Sequence, residues 1–192
     1  LSAVANMLHR LGAACQITAD PEQIEHADRI ILPGNGDFDA CMLNLRATGL
    51  IPVLEKRVLG QKTPLLGICV GAQMLGKSSS EGQERGLGWI DMSAERFPDL
   101  PGLPVPHMGW RSVIPTSREH PLAEGLEADT RFYFVHSFYL RPAQLEDSIL
   151  QAEYGIPFTA AIARGNIAGV QFHPEKSHRF GKQLLSRFLE WN

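Results

Sequence analysis

The run Gly67-Ile68-Cys69-Val70-Gly71 sets a thiol between two glycines, where an apolar stretch gives way to a helix expected from near Val70. It is the thiol version of a nucleophile elbow, a strand-to-helix turn tight enough to need glycines around the reactive side chain. A helix start favours the thiolate and offers an N–H group to a developing oxyanion. The competing reading is a small buried hydrophobe, the common fate of a free cysteine. Far along the chain, an expected strand from Ile167 to Phe172 ends in His173-Pro174-Glu175. Proline stiffens the backbone between the two titratable groups. His173 can then serve Cys69 as general base and acid while Glu175 orients the ring and favours its protonated form. An ordinary strand-ending turn is the alternative.

A third feature is Pro33-Gly34-Asn35-Gly36, at the C-terminal end of an expected strand, where open α/β sheets bind their ligands. Its N–H groups could complete an oxyanion hole, or it could simply turn the chain. Neither GxGxxG nor GK[ST] follows, so it is not a phosphate loop.

These groups need a scaffold that brings strand ends together. Pro64 to Cys69 is a short apolar run of the kind found in central parallel strands. Helices are expected over Ser2 to Leu11, Pro21 to Ala27 with Asp20 as cap, Phe38 to Ala47 and Ile51 to Leu59, and strands over Ala14 to Thr18 and Arg29 to Leu32. This is βαβ alternation. After the prolines at 98, 101, 104 and 106 the strands become consecutive: Arg111 to Ile114, Arg131 to Val135, Ser148 to Tyr154, Phe158 to Ala163 and Ile167 to Phe172. An amphipathic helix, Ser177 to Trp191, follows. The expected architecture is α/β, a mostly parallel central sheet flanked by helices with an antiparallel extension.

With 192 residues the chain fits one domain, 1–192, that buries roughly 70% of its unfolded surface. Hydrophobic content of 44% and charged content of 20%, without an apolar run long enough to span a bilayer, exclude a membrane helix. A net charge of -3 with interspersed signs supplies no basic stripe for nucleic acid. Cys15, Cys41 and Cys69 are too few for a disulfide framework and point to a reducing, cytoplasmic setting. His9, His26, His107, His120, His136 and His178 show no metal-binding spacing and read as structural or surface residues; no cofactor is implied.

Taken in order, PGNG, GICVGAQ and QFHPEKS resemble the class I glutamine amidotransferases, and the resemblance runs from Leu1 to Trp191. Within that family, Pro106-His107-Met108-Gly109-Trp110, Phe132 to Ser137 and His173 to Ser177 look most like the glutaminase subunits of imidazole glycerol phosphate synthases, which serve histidine biosynthesis. Ala72, where the GMP- and CTP-synthetase branches carry His, points the same way. Family members open with a strand and a glycine-containing loop before the first helix, so a strand is expected ahead of Leu1.

The resemblance implies that Cys69 is the nucleophile, His173 the acid–base and Glu175 the orienting carboxylate of a triad that hydrolyses glutamine. It assigns Gln73 and Glu81, with Ser137 and Phe138 from the next loop, to the amino-acid head of glutamine. Val70 and the Gly34–Asn35 peptide, in the turn that Gly36 closes, would supply oxyanion N–H groups. It further implies a heterodimer with a (β/α)8-barrel cyclase subunit that receives the ammonia, with Tyr133 and Lys176 at the interface. Val70 and Ala72 stand where Leu and Met are usual, Asn35 where Val is usual, and Lys77 to Glu81 reads KSSSE. These departures spare the triad and leave the ammonia acceptor open. The alternatives are a paralogue serving sugar amidation in surface-polysaccharide synthesis, or a partner-regulating module with little activity of its own.

Overall fold

The computed structural model describes residues 2–116 and 119–191. Helices α1 (Ser2–Arg10) and α2 (Pro21–Glu25) precede strand β1 (Ile30–Gly34). Then come α3 (Phe38–Ala47), α4 (Ile51–Glu55) running into a π-helical turn (Lys56–Gly60), β2 (Leu65–Cys69) and α5 (Val70–Met74). The second half holds β3 (Ser78–Ser79), β4 (Met92–Arg96), β5 (His107–Ser112), β6 (Ile114–Pro115), β7 (Arg131–His136), β8 (Phe138–Pro142), β9 (Ser148–Glu153), β10 (Pro157–Arg164), β11 (Ile167–Val170) and α6 (His178–Glu190).

Local chemistry explains the boundaries that matter for the site. Asp20 accepts from the Glu22 N–H and Pro21 occupies the first turn of α2. Asp37 accepts from Ala40 N–H at the start of α3, and the Glu81 carboxylate takes the Phe38 N–H. Strands β2 and β11 are buried along their whole length, as their unbroken apolar sequences require.

The main sheet follows the order β1-β2-β11-β10-β8-β4-β3, with β9 against β10 and β6 against β9. Strands β1, β2 and β11 are parallel and form the centre of the site. From β10 outward the pairings are antiparallel apart from the short β3–β4 contact, so the expected extension is present and broad. Strands β5 and β7 form a separate antiparallel ribbon. Buried apolar side chains make one contiguous cluster, to which α6 contributes Phe180, Leu184, Leu185 and Phe188. Among the described residues no helix is long and apolar enough to cross a membrane.

Some expected elements differ. Ala14–Thr18 lies in no ladder among the described residues, and β1, at the end of the sheet order, pairs only with β2. The strand expected at Arg111–Ile114 begins earlier, at His107, because β5 aligns in full register with β7. Strands β3, β4 and β8 were not expected. The strand expected to end at Val135 continues to His136, and after Ser137 alone β8 begins in the other sheet, so Phe138 opens a strand instead of lying in a loop.

Candidate active site

Cys69 ends β2 and precedes α5 with φ 56°, a conformation that costs a non-glycine residue on the order of 1–3 kcal/mol. The surrounding packing enforces it. In the parallel ladder Gly34 stands opposite Cys69, and the end of β1 presses against the start of α5. A Cβ on Gly34 would come within 2.3 Å of the Gly71 nitrogen, and one on Gly71 within 1.9 Å of the Leu32 carbonyl oxygen. Only glycines allow this approach. The elbow thus aims a thiol, 7% exposed, into a cavity of about 280 Å³, at the small end of ligand pockets and suited to a ligand of amino-acid size.

The cavity brings together most of the residues singled out by sequence: Asn35, Gly36, Cys69, Val70, Gln73, Glu81, Ser137, Phe138, His173 and Lys176 all line it. Val70 begins α5, where helix geometry leaves its N–H without an intrahelical partner. Gly34 lies behind the wall, at its ladder position beside Cys69. Glu81 accepts the Phe38 N–H at the start of α3 through one carboxylate oxygen and is part of the cavity lining. Tyr133 stands outside the lining, with the Lys176 ammonium 5.9 Å from its ring centroid.

His173 Nδ1–H donates to Glu175 Oε1 at 2.8 Å, which leaves Nε2 as the ring atom able to exchange a proton with sulfur. The turn carrying this pair is stitched to β7: His173 N–H donates to the Tyr133 carbonyl (2.9 Å), Tyr133 N–H to Ser177 Oγ (3.0 Å), and the Ser177 hydroxyl to the His173 carbonyl (2.6 Å). Burial disfavours the charged ring, but hydrogen bonds and charge from Cys69 and Glu175 outweigh it and raise His173 to about 9. Burial likewise opposes the Glu175 carboxylate, yet the His173 proton and charge hold it below its ordinary range. At neutral pH the site therefore holds an imidazolium fixed by a carboxylate and adjacent to the thiol.

Two contributors escaped the sequence reading. Gln171, fully buried, directs its amide nitrogen at Cys69 Sγ at 3.8 Å. The period of two along a strand puts residue 171 on the same face as 173, and this was the available signal. The other is His136, read from sequence as structural or surface, which lines the cavity. Its Nδ1–H donates to the Phe138 carbonyl at 2.8 Å and braces the turn that presents Ser137 and Phe138. Its Nε2 must then accept from His107 Nδ1–H at 2.9 Å, so the His136 ring is neutral. The His107 ring lies between those of Phe134 and Tyr154, stacked on both.

Burial lowers His107 to about 4, helped by the nearby Arg111 charge, and lowers His136 to about 3. Unfolded histidine binds its proton near pH 6.5, so this pair contributes stability that is full above about 6.5 and is lost as pH falls towards 4 and 3. His173 has the opposite sign, contributing fully below about 6.5 and losing its contribution as pH rises through about 9. The melting temperature should therefore decline on both sides of neutrality. His107→Gln, which keeps a donor for His136, should flatten the acid limb of a melting-temperature series. An unchanged acid limb would contradict this account.

Residues 2–191 match the family described as glutamine amidotransferase class-I. Over 190 residues the chain is 50% identical to imidazole glycerol phosphate synthase subunit HisH 2 of Pseudomonas aeruginosa, spanning 99% of this chain and 94% of that one. It is 43% identical over 190 residues to the HisH 2 subunit of Methanococcus maripaludis, with the same coverage of 99% and 94%. A crystal structure of a glutamine amidotransferase superposes with a TM-score of 0.74 at 22% identity, covering 98% of this chain and 92% of that one, and so shares the fold. With a family match along nearly its whole length and relatives this similar, the chain belongs to the class I glutamine amidotransferases.

Proposed function

We propose that residues 1–192 act as one glutaminase domain that hydrolyses glutamine to glutamate and ammonia and passes the ammonia to a cyclase that forms imidazole glycerol phosphate. The observation that carries this reading is the meeting, in one small cavity, of a thiol on a strained elbow with an imidazole already held by a carboxylate. The Cys69 thiolate attacks the carboxamide carbon, and the oxyanion forms between Val70 and the glycine turn. His173, protonated at neutral pH, gives its proton to the leaving ammonia, and a thioester remains. The now neutral ring takes a proton from water, which cleaves the thioester and frees glutamate. Glu175 keeps Nε2 on the sulfur side throughout. Gln73 and Glu81, both in the cavity lining, hold the amino-acid head of glutamine together with Ser137 and Phe138.

The acceptor is read from the company the chain keeps: its relatives in Pseudomonas and Methanococcus are named as subunits of imidazole glycerol phosphate synthase. A (β/α)8-barrel cyclase docks over the cavity mouth beside Tyr133 and Lys176, in the cytoplasm. A glutamine-mimicking electrophile should label Cys69 stoichiometrically, glutamine should slow the labelling, and adding the cyclase should raise glutamate production. Labelling indifferent to glutamine would refute the substrate. Equal rates with and without the cyclase would refute the partner.

A further inference from the structure

The wall behind Cys69 contains two glutamines. Gln73, on α5, is 3% exposed, and Gln171, one residue beyond the end of β11, is 0% exposed. Gln73 Nε2 donates to Gln171 Oε1 at 3.1 Å, and Gln171 Nε2 points at Cys69 Sγ at 3.8 Å. The backbone of Gln171 is fixed independently, its N–H donating to the Ala160 carbonyl at 2.9 Å. The chain of amides ends at Gln73 Oε1, a buried acceptor without a hydrogen-bond partner on a residue that lines the cavity.

The direction of these bonds is determined by the sulfur. A thiolate only accepts, so the Gln171 NH2 group must face it. Gln171 then has only its carbonyl oxygen to offer Gln73, and Gln73 must answer with its NH2 group. That leaves the Gln73 oxygen as the unpartnered end of the relay, on a residue that lines the cavity. Reversing either amide would set a carbonyl oxygen against the thiolate or pair two oxygens, and buried groups bear such mismatches poorly.

From this arrangement we infer that Gln171 is a positioning residue: it aligns the Cys69 thiolate and, through Gln73, couples that alignment to an N–H-bearing ligand group in the cavity. The inference rests on the glutaminase reading and deepens it. A ligand ammonium that donates to Gln73 Oε1 supplies the missing partner and stabilises the amide orientation that favours the thiolate. A ligand lacking that ammonium leaves the relay open at its end. The site thereby distinguishes an amino acid from a simple amide by the readiness of its nucleophile as well as by affinity.

The test is the pH–rate profile of Cys69 alkylation by iodoacetamide in the purified chain, measured with and without glutamine, for the unaltered protein, Gln171→Leu, Gln171→Glu and Gln73→Leu. Gln171→Leu removes the donor, and its alkylation at neutral pH should slow about tenfold, the profile moving to higher pH, as for a lost charge-assisted hydrogen bond. Gln73→Leu should move it in the same direction by less. Gln171→Glu keeps the volume but sets a carboxylate against the sulfur and should slow neutral-pH alkylation at least as much. If Gln171→Leu does not fold, Gln171→Glu decides the matter. Folded variants with unaltered rates and profiles would overturn the relay. Glutamine protection of the unaltered protein separates the two claims: without it the glutaminase reading fails, and with it but without any Gln171 effect only the relay fails.

Discussion

Cys69→Ala should lower glutamine hydrolysis by a factor on the order of 10⁴ or more, leaving the fold and the melting temperature close to those of the unaltered protein. The size follows from the covalent route. Without sulfur there is no thioester, and only positioning and oxyanion donors remain to assist direct attack by water. Alanine keeps the Cβ at φ 56° and the packing of the elbow, so the loss is chemical and not structural. Labelled glutamine and mass spectrometry of glutamate give the rate. A Cys69→Ala preparation with appreciable turnover, free of contaminating glutaminase, would remove the nucleophile assignment altogether.

Gly71→Ala should damage both stability and turnover, although residue 71 touches no substrate in the proposed reaction. The added carbon would lie 1.9 Å from the Leu32 carbonyl oxygen, a backbone atom on β1 with no rotamer to change. Either β1 or α5 must shift, and overpacking of this kind costs about 1–3 kcal/mol. The shift falls between Cys69 and the glycine turn, whose relative placement sets the oxyanion geometry in the proposed reaction. A displacement of about 1 Å at such a place commonly lowers turnover about a hundredfold. Melting and glutaminase assays on one preparation should show both losses, and full activity in Gly71→Ala would mean the elbow tolerates a displacement its packing forbids.

The elbow was legible in the sequence because its geometry restricts composition. Gly34 and Gly71 are required by backbone approach, and an unbroken apolar strand has to precede Cys69. The His173–Glu175 pair was legible for a similar reason, being two residues apart at a strand end. Contacts made by the fold between distant positions left less trace. His107 and His136 meet because β5 and β7 align in register, and neither shows a local signal that would pair it with the other. Gln171 looks like any polar residue at a strand terminus until β11 sets it beside the thiol. Strand β4 alternates Met92 and Ala94 with Ser93 and Glu95 but is short and lacks the β-branched and aromatic residues that mark strands, while β8 follows β7 after Ser137 alone, with no turn residues to announce it.

The pairing of Gly34 with Cys69 on neighbouring strands has a consequence for precision. Parallel strands lie about 4.8 Å apart, held by backbone hydrogen bonds and not by side-chain rotamers. Strand β1 flanks the nucleophile on one side, and β11, in register as far as Val170 opposite Ile68, flanks it on the other. The sheet thus works as a ruler, with sulfur at its middle mark, the glycine turn one division away and the glutamine–histidine face one division in the opposite sense. Loops at the rim can move with a ligand while those divisions are held by the backbone ladder, so the dimension that the proposed chemistry depends on is stored in the hydrogen bonds of the sheet.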